Sequence, residues 1–160
     1  MKTGHLRDYI IIPTLKYLDL LSNSGINLLL GIAAQESHLG EYLHQINGCA
    51  MGIYQMEPET VIDLQNNFLD YRPKLDEKIG KLRISAPKKY FPGDTEIEGN
   101  LYYATAMTRI FFLRFPESLP KADDIEGLAV YWKKYYNTEK GKGKITDFIY
   151  NYNKYVLGDI

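Results

Sequence analysis

Ile26-Asn27-Leu28-Leu29-Leu30-Gly31-Ile32-Ala33-Ala34-Gln35-Glu36-Ser37-His38-Leu39-Gly40 is the stretch that decides the fold. Apolar side chains fill almost every position up to Ala34, and a helix that is apolar all round lies buried. The pattern predicts a central helix over 26–39, with Gly40 as its stop signal. Gly31 weakens such a helix by about 1 kcal/mol relative to alanine, so its presence marks a close approach to another helix. The run ends on a carboxylic acid, Glu36. There the unpaired carbonyls of the last turn and the apolar surroundings both disfavour a negative charge. Both push the pKa of Glu36 up, toward an acid that keeps its proton near neutral pH and can donate it. A glycine-led turn, Gly52-Ile53-Tyr54-Gln55-Met56, follows and brings an amide side chain into play.

The rest of the chain reads as further helices joined by irregular loops. Pro13 fits the first turn of a helix running through Leu21, and Ser22-Asn23-Ser24-Gly25 breaks it. Residues 48–55 read as a loop with room for a short strand pair. Pro58 opens a helix over 59–69, and Pro73 opens a short one after it. Residues 85–95, with Pro87, Pro92 and Gly93, read as a long loop. A strong helix is predicted over 98–115, with Leu101, Ala104, Met107 and Phe111 on one stripe. Asp123 or Asp124 caps a helix over 125–136, residues 139–144 form a glycine-lysine loop, and 145–156 form the last helix. Strand-like alternation is nearly absent. The expectation is one mainly α domain over 1–160, with few or no short strands.

Composition removes several classes. A net charge of −1 argues against a dedicated nucleic-acid binder. The lysines at 88–89 and from Lys133 to Lys144 read as solvated faces. No apolar run is long enough to span a bilayer. Lys2 and Arg7 precede Tyr9-Ile10-Ile11-Ile12, but Pro13 stops that run and no cleavage site follows, so no signal peptide is expected. Cys49 is the only cysteine, which excludes an internal disulfide and a cysteine metal cage, and it reads as a small packed side chain. His5, His38 and His44 lack the spacing of a metal site. Gly141-Lys142-Gly143-Lys144 lacks the spacing of a phosphate loop and reads as a mobile segment beside a groove. No metal or cofactor is expected. Of the fourteen tyrosines, most read as core or rim packing, with two or three left to offer an aromatic face to a ligand. Trp132, the only tryptophan, reads as packed core.

Residues 26–62 resemble the lytic transglycosylases and goose-type lysozymes. In that family a helix ends in Glu-Ser, and a Gly-x-x-Gln-Met-x-Pro turn leads into a new helix. The counterparts here are Glu36-Ser37 and Gly52-Ile53-Tyr54-Gln55-Met56-Glu57-Pro58. The resemblance implies a lysozyme-like domain with a catalytic groove. It makes Glu36 the acid/base, and Ser37 a residue that orients the acid or contacts sugar. Gln55 would line the sugar groove, with Tyr54 and Met56 beside it. A later Tyr-Asn pair that closes the groove maps to Tyr136-Asn137, with Tyr131 as a competitor. The family's Ala-Tyr-Asn-Ala-Gly appears here as Tyr135-Tyr136-Asn137-Thr138, without the small pair that follows.

The chemistry implied by the resemblance is cleavage of the β-1,4 bond between N-acetylmuramic acid and N-acetylglucosamine in peptidoglycan. Glu36 would protonate the bridging oxygen and then take the proton of the muramoyl 6-hydroxyl, closing a 1,6-anhydro ring without water or metal. Two rivals stand beside it. A hydrolytic muramidase of the inverting kind needs a second carboxylate about 6.5–9.5 Å away, for which Glu57, Asp63 and Glu98 are the sequence candidates. A wall-binding or structural phage protein would keep the fold without turnover. The expected partners are glycan strands and other virion proteins. The expected location is the virus particle or, after release from the cytoplasm, the periplasm and wall.

Overall fold

The computed structural model describes residues 1–84, 95–139 and 141–158. Helix α1 covers residues 3–17, α2 Asn23–Ser37, α3 residues 58–69, α4 Pro73–Lys81 and α5 Thr95–Gly99. Helix α6 is Leu101–Phe111, followed by a 3₁₀ turn Phe112–Arg114; α7 covers residues 125–137 and α8 residues 145–157. The only extended pairing among the described residues is two isolated bridges, His44 with Met51 and Met51 with Met56. The protein is mainly helical, and no described helix is long and apolar enough to cross a membrane. The loop expected over 85–95 falls, apart from Thr95, outside the described residues.

Helix α2 is the centre of the molecule and packs against α1, α6, α7 and α8. Ile26, Leu28, Leu29, Leu30, Ile32, Ala33 and Ala34 are all buried. Each fully buried Leu or Ile contributes about 1.5–3 kcal/mol over an exposed one. Gly31 marks the close approach that its place in the sequence implied: a Cβ there would lie 2.3 Å from Cζ of Phe148 on α8. Ser22 caps the helix by accepting from the Gly25 N–H at 3.0 Å, so α2 begins three residues earlier than expected. It also ends earlier, at Ser37. His38 and Leu39 are left-handed, at φ 50° and 60°. The Leu39 N–H returns to the Ala33 carbonyl at 2.9 Å. Gly40 shares the left-handed conformation at φ 83° but lies beyond the stop.

Three other boundaries differ from expectation. Helix α1 ends at Tyr17, short of Leu21, and Asp19 after it is left-handed at φ 60°. Helix α1 starts at Thr3, ahead of Pro13, because the turn Leu6–Ile11 is π-helical. Its wider bonds, such as Ile12 N–H to Arg7 O, carry the chain past the N–H that Pro13 lacks. The helix expected over 98–115 is broken at Asn100. The Asn100 side chain accepts from Tyr103 N–H at 3.1 Å and donates to Leu82 O and to the Glu96 carboxylate, both at 2.7 Å. It thus starts α6 with a cap and ties α5 to the chain after α4. Asp124 caps α7 as expected, accepting from Gly127 N–H at 2.8 Å. Cys49, expected to be packed, is exposed. It lies in the turn closed by Gln45 N–H to Ala50 O, where no core side chain covers it.

Alanine normally stabilises a helix interior over glycine by about 1 kcal/mol. Gly31→Ala is expected to reverse that sign and cost about 1–3 kcal/mol by overpacking against Phe148. Gly80→Ala in α4, where an added Cβ meets nothing within 4 Å, keeps the ordinary gain. Urea denaturation of the two variants checks the contrast, and a gain at position 31 contradicts the packing described.

Candidate active site

Glu36 is half-buried in the last turn of α2 and faces a groove of about 760 Å³. Gln55, Met56, Glu57 and Thr60 line it from the turn and the start of α3, and Tyr135, Tyr136 and Asn137 from α7. Phe111, Arg114 and Phe115 of α6 and the turn after it, and Gly141, Lys142 and Gly143 after α7, complete the lining. This is the size and composition of a ligand site: an aromatic wall with a few convergent polar groups.

One bond fixes the acid. The indole N–H of Trp132 donates to Glu36 Oε1 at 2.8 Å. Trp132 is fully buried on α7, with its ring centroid 5.3 Å from that of Phe148. Burial pushes the Glu36 pKa from 4.5 up to about 7, against the downward pull of the indole bond. Loss of solvation therefore outweighs the one donor supplied. At neutral pH the protonated and ionised forms coexist, which suits a group that must give and recover a proton.

Ser37 couples the acid's helix to the glycine turn. Its Oγ donates to Ile53 O at 2.6 Å and accepts from Gly40 N–H at 2.9 Å. Ser37 is completely buried, so of its two expected roles sugar contact is excluded and positioning remains. The turn is closed by reciprocal bonds between Met51 and Met56, both at 3.0 Å. Gly52 is required twice over: its φ is 76°, and a Cβ would meet Ile97 O at 2.1 Å. Gln55, left-handed at φ 48°, bonds Gly52 O through Nε2 at 2.8 Å and lines the groove.

Tyr54 does not reach the groove. Its ring is buried and its hydroxyl pairs with Thr105 at 2.9 Å; burial raises its pKa, so it stays neutral. Its role is indirect, because its carbonyl accepts from the Tyr136 hydroxyl at 2.8 Å. That bond ties α7 to the turn. Tyr136 lines the groove, and burial holds its phenol neutral. Tyr131, the competitor, is buried and donates to Glu117 O at 3.1 Å, outside the groove lining. Met56 is buried with little surface to offer. Asn137 accepts from Lys133 Nζ at 2.7 Å, and the same ammonium donates to Gly141 O at 2.9 Å, fastening the 141–143 segment.

The three candidate second carboxylates separate cleanly. Asp63 is hydrogen-bonded to Asn67 and paired with Arg114, which hold its pKa down. Glu98 sits 3.1 Å from His44, outside the groove lining. Glu57 alone of the three lines the groove. Sequence reasoning missed Gln35, whose carbonyl accepts from Asn151 at 2.8 Å, together with Gln45 and Arg114 in the wall. It also gave Trp132 only its packing role. An indole donor paired across 96 positions leaves no local signal. Cys49, Glu57 and Glu59 are close enough to one another to share a cation, but all three are exposed acids or a thiol and none pairs with a histidine.

No family model matches the chain, and no curated protein or solved structure is significantly similar to it.

The raised acid makes stability depend on pH. Unfolded, Glu36 titrates near 4.5; folded, near 7. The folded state keeps the extra proton between those values, so this group's contribution declines as pH rises through that window, by up to about 3 kcal/mol. Glu36→Gln is expected to be more stable than the wild type by about 1–3 kcal/mol at pH 8 and nearly equal to it at pH 4. Chemical denaturation at the two pH values checks this, and a difference independent of pH would count against the buried acid.

Proposed function

We propose that the protein is a lysozyme-like lytic transglycosylase acting on the glycan strands of peptidoglycan. The observation that carries the reading is a half-buried carboxyl at the end of an apolar helix, bonded to a buried indole and facing a groove walled by Tyr136, Gln55 and Asn137. Near neutral pH Glu36 donates its proton to the oxygen bridging N-acetylmuramic acid and N-acetylglucosamine. Charge develops at the anomeric carbon, the bond breaks, and the carboxylate formed takes the proton of the muramoyl 6-hydroxyl as the 1,6-anhydro ring closes. One residue serves both steps, so no second carboxylate is required. General acid catalysis supplies about 10²–10⁴-fold; alignment of the sugar in the groove supplies much of the remainder.

One observation favours a second reading. Glu57 lines the same groove and is not engaged by a basic side chain among the described residues. As a base toward water it would make the enzyme a hydrolytic muramidase.

Digestion of purified peptidoglycan followed by mass spectrometry of the fragments tests both. Anhydro-ended muropeptides are the expected product; reducing-ended fragments assign hydrolysis, and intact glycan overturns the enzymatic reading in favour of a wall-binding protein. Glu36→Gln is expected to lower cleavage by about 10²–10⁴-fold. Glu57→Gln is expected to leave anhydro product formation within a few-fold. The rate is expected to fall above pH about 7, because the proton-donating form is lost there.

A further inference from the structure

Two glycines bear on the position of Trp132. Phe148 packs on the indole and is itself pressed against Gly31, where a Cβ would lie 2.3 Å from its Cζ. A Cβ on Gly143 would lie 2.7 Å from Cη2 and 3.2 Å from Cζ2 of Trp132, and 3.0 Å from Asn137 Nδ2. The φ of Gly143 is not in the left-handed region, so backbone conformation does not call for glycine there. The indole does. The segment is also anchored, by Lys133 to Gly141 O, which opposes its lifting away. The N–H that holds Glu36 lies on the same edge of the indole, separated from Cζ2 by the single ring atom Cε2, so a push at Cη2 and Cζ2 acts next to that bond.

We infer that Gly143 is a positioning residue for Glu36, acting through Trp132: the bare backbone at 143 is what lets the indole sit far enough out to bond the acid. The segment 141–143 lines the groove, so whatever occupies the groove presses on the element that sets the acid's only hydrogen bond among the described residues. As a statement about catalysis this rests on the reading of Glu36 as the acid; as a statement about the environment of Glu36 it does not. The titratable and charged groups that share the groove with Glu36 are Tyr135 and Tyr136 of α7, Glu57 of the turn, Arg114 after α6 and Lys142 of the segment itself. None of the histidines lines it.

The chain's single tryptophan makes the test direct, because its emission reports the charge state of its partner. Fluorescence is titrated with pH in the wild type, Gly143→Ala, Glu36→Gln and the control Gly80→Ala. A titration step that Glu36→Gln abolishes belongs to Glu36. Gly143→Ala is expected to move that step up by about half to one pH unit, since a hydrogen bond to a charged group weakened by about 1 kcal/mol corresponds to that shift. Gly80→Ala is expected to leave it in place. The alkaline limb of wall cleavage moves by the same amount in Gly143→Ala. An unmoved step in a folded Gly143→Ala protein overturns the inference, since the segment then yields and the indole does not. Should Gly143→Ala be too unstable to titrate, the double variant with Trp132→Phe decides. The loss of Tm on adding alanine is expected to fall by half or more with the shorter ring, and equal losses in both backgrounds overturn the proposal. If the step moves but Glu36→Gln still cleaves peptidoglycan, the positioning stands and the transglycosylase reading fails.

Discussion

The site depends on an imbalance around one carboxyl group. Burying Glu36 in the last turn of α2 removes water from it, and the fold returns a single strong donor, the indole N–H of Trp132 at 2.8 Å. Two or three donors would have held the group ionised; none would have left it a destabilising burden with no fixed direction. One donor orients the carboxyl toward the groove and leaves its pKa at about 7. The cost in stability above neutral pH comes from the same desolvation that raises the pKa.

Everything else keeps that arrangement in register. Helix α2 contacts four other helices, and its burial fixes where the acid can be. Ser37 joins the helix end to the Gly52–Met56 turn through Ile53 O, and Tyr136 joins the same turn to α7 through Tyr54 O. Acid, amide and phenol are therefore positioned by two hydrogen bonds that converge on adjacent backbone carbonyls. The aromatic stack of α7 with Phe111, Phe112 and Phe115 makes the facing wall rigid. Ser37 thus ties the acid's helix to the turn, and Tyr136 ties the facing helix to the same turn.

The sequence made the central helix legible because its apolar run is long and leaves no polar face. Glu36 could be singled out for the same reason: an ionisable group ending a buried helix must be buried in part. Gly52 and Gln55 were legible as a turn, and Asp124 as a cap, because those choices are local. The early stop of α2 was not, since it depends on His38 and Leu39 accepting a left-handed backbone that side chains other than glycine rarely adopt. The break at Asn100 was hidden inside a good helical stripe, because the bonds that impose it reach to Leu82 and Glu96. The start of α1 was obscured by a π-turn that changes where Pro13 is tolerated. The resemblance put Tyr54 beside the sugar groove and made Ser37 either a sugar contact or an orienting residue, and both are buried here and hold the turn. Trp132 was the largest gap: hydropathy places it in the core and is silent on where its one N–H points.

The most direct test of the account reads the acid itself. In protein labelled with ¹³C at the glutamate carboxyl carbon, the resonance absent from Glu36→Gln belongs to Glu36 and can be followed with pH. A midpoint at about 7 is expected. A midpoint in the ordinary glutamate range near 4.5 would contradict it, for a carboxyl ionised throughout the neutral range could not give up the proton that the proposed reaction needs.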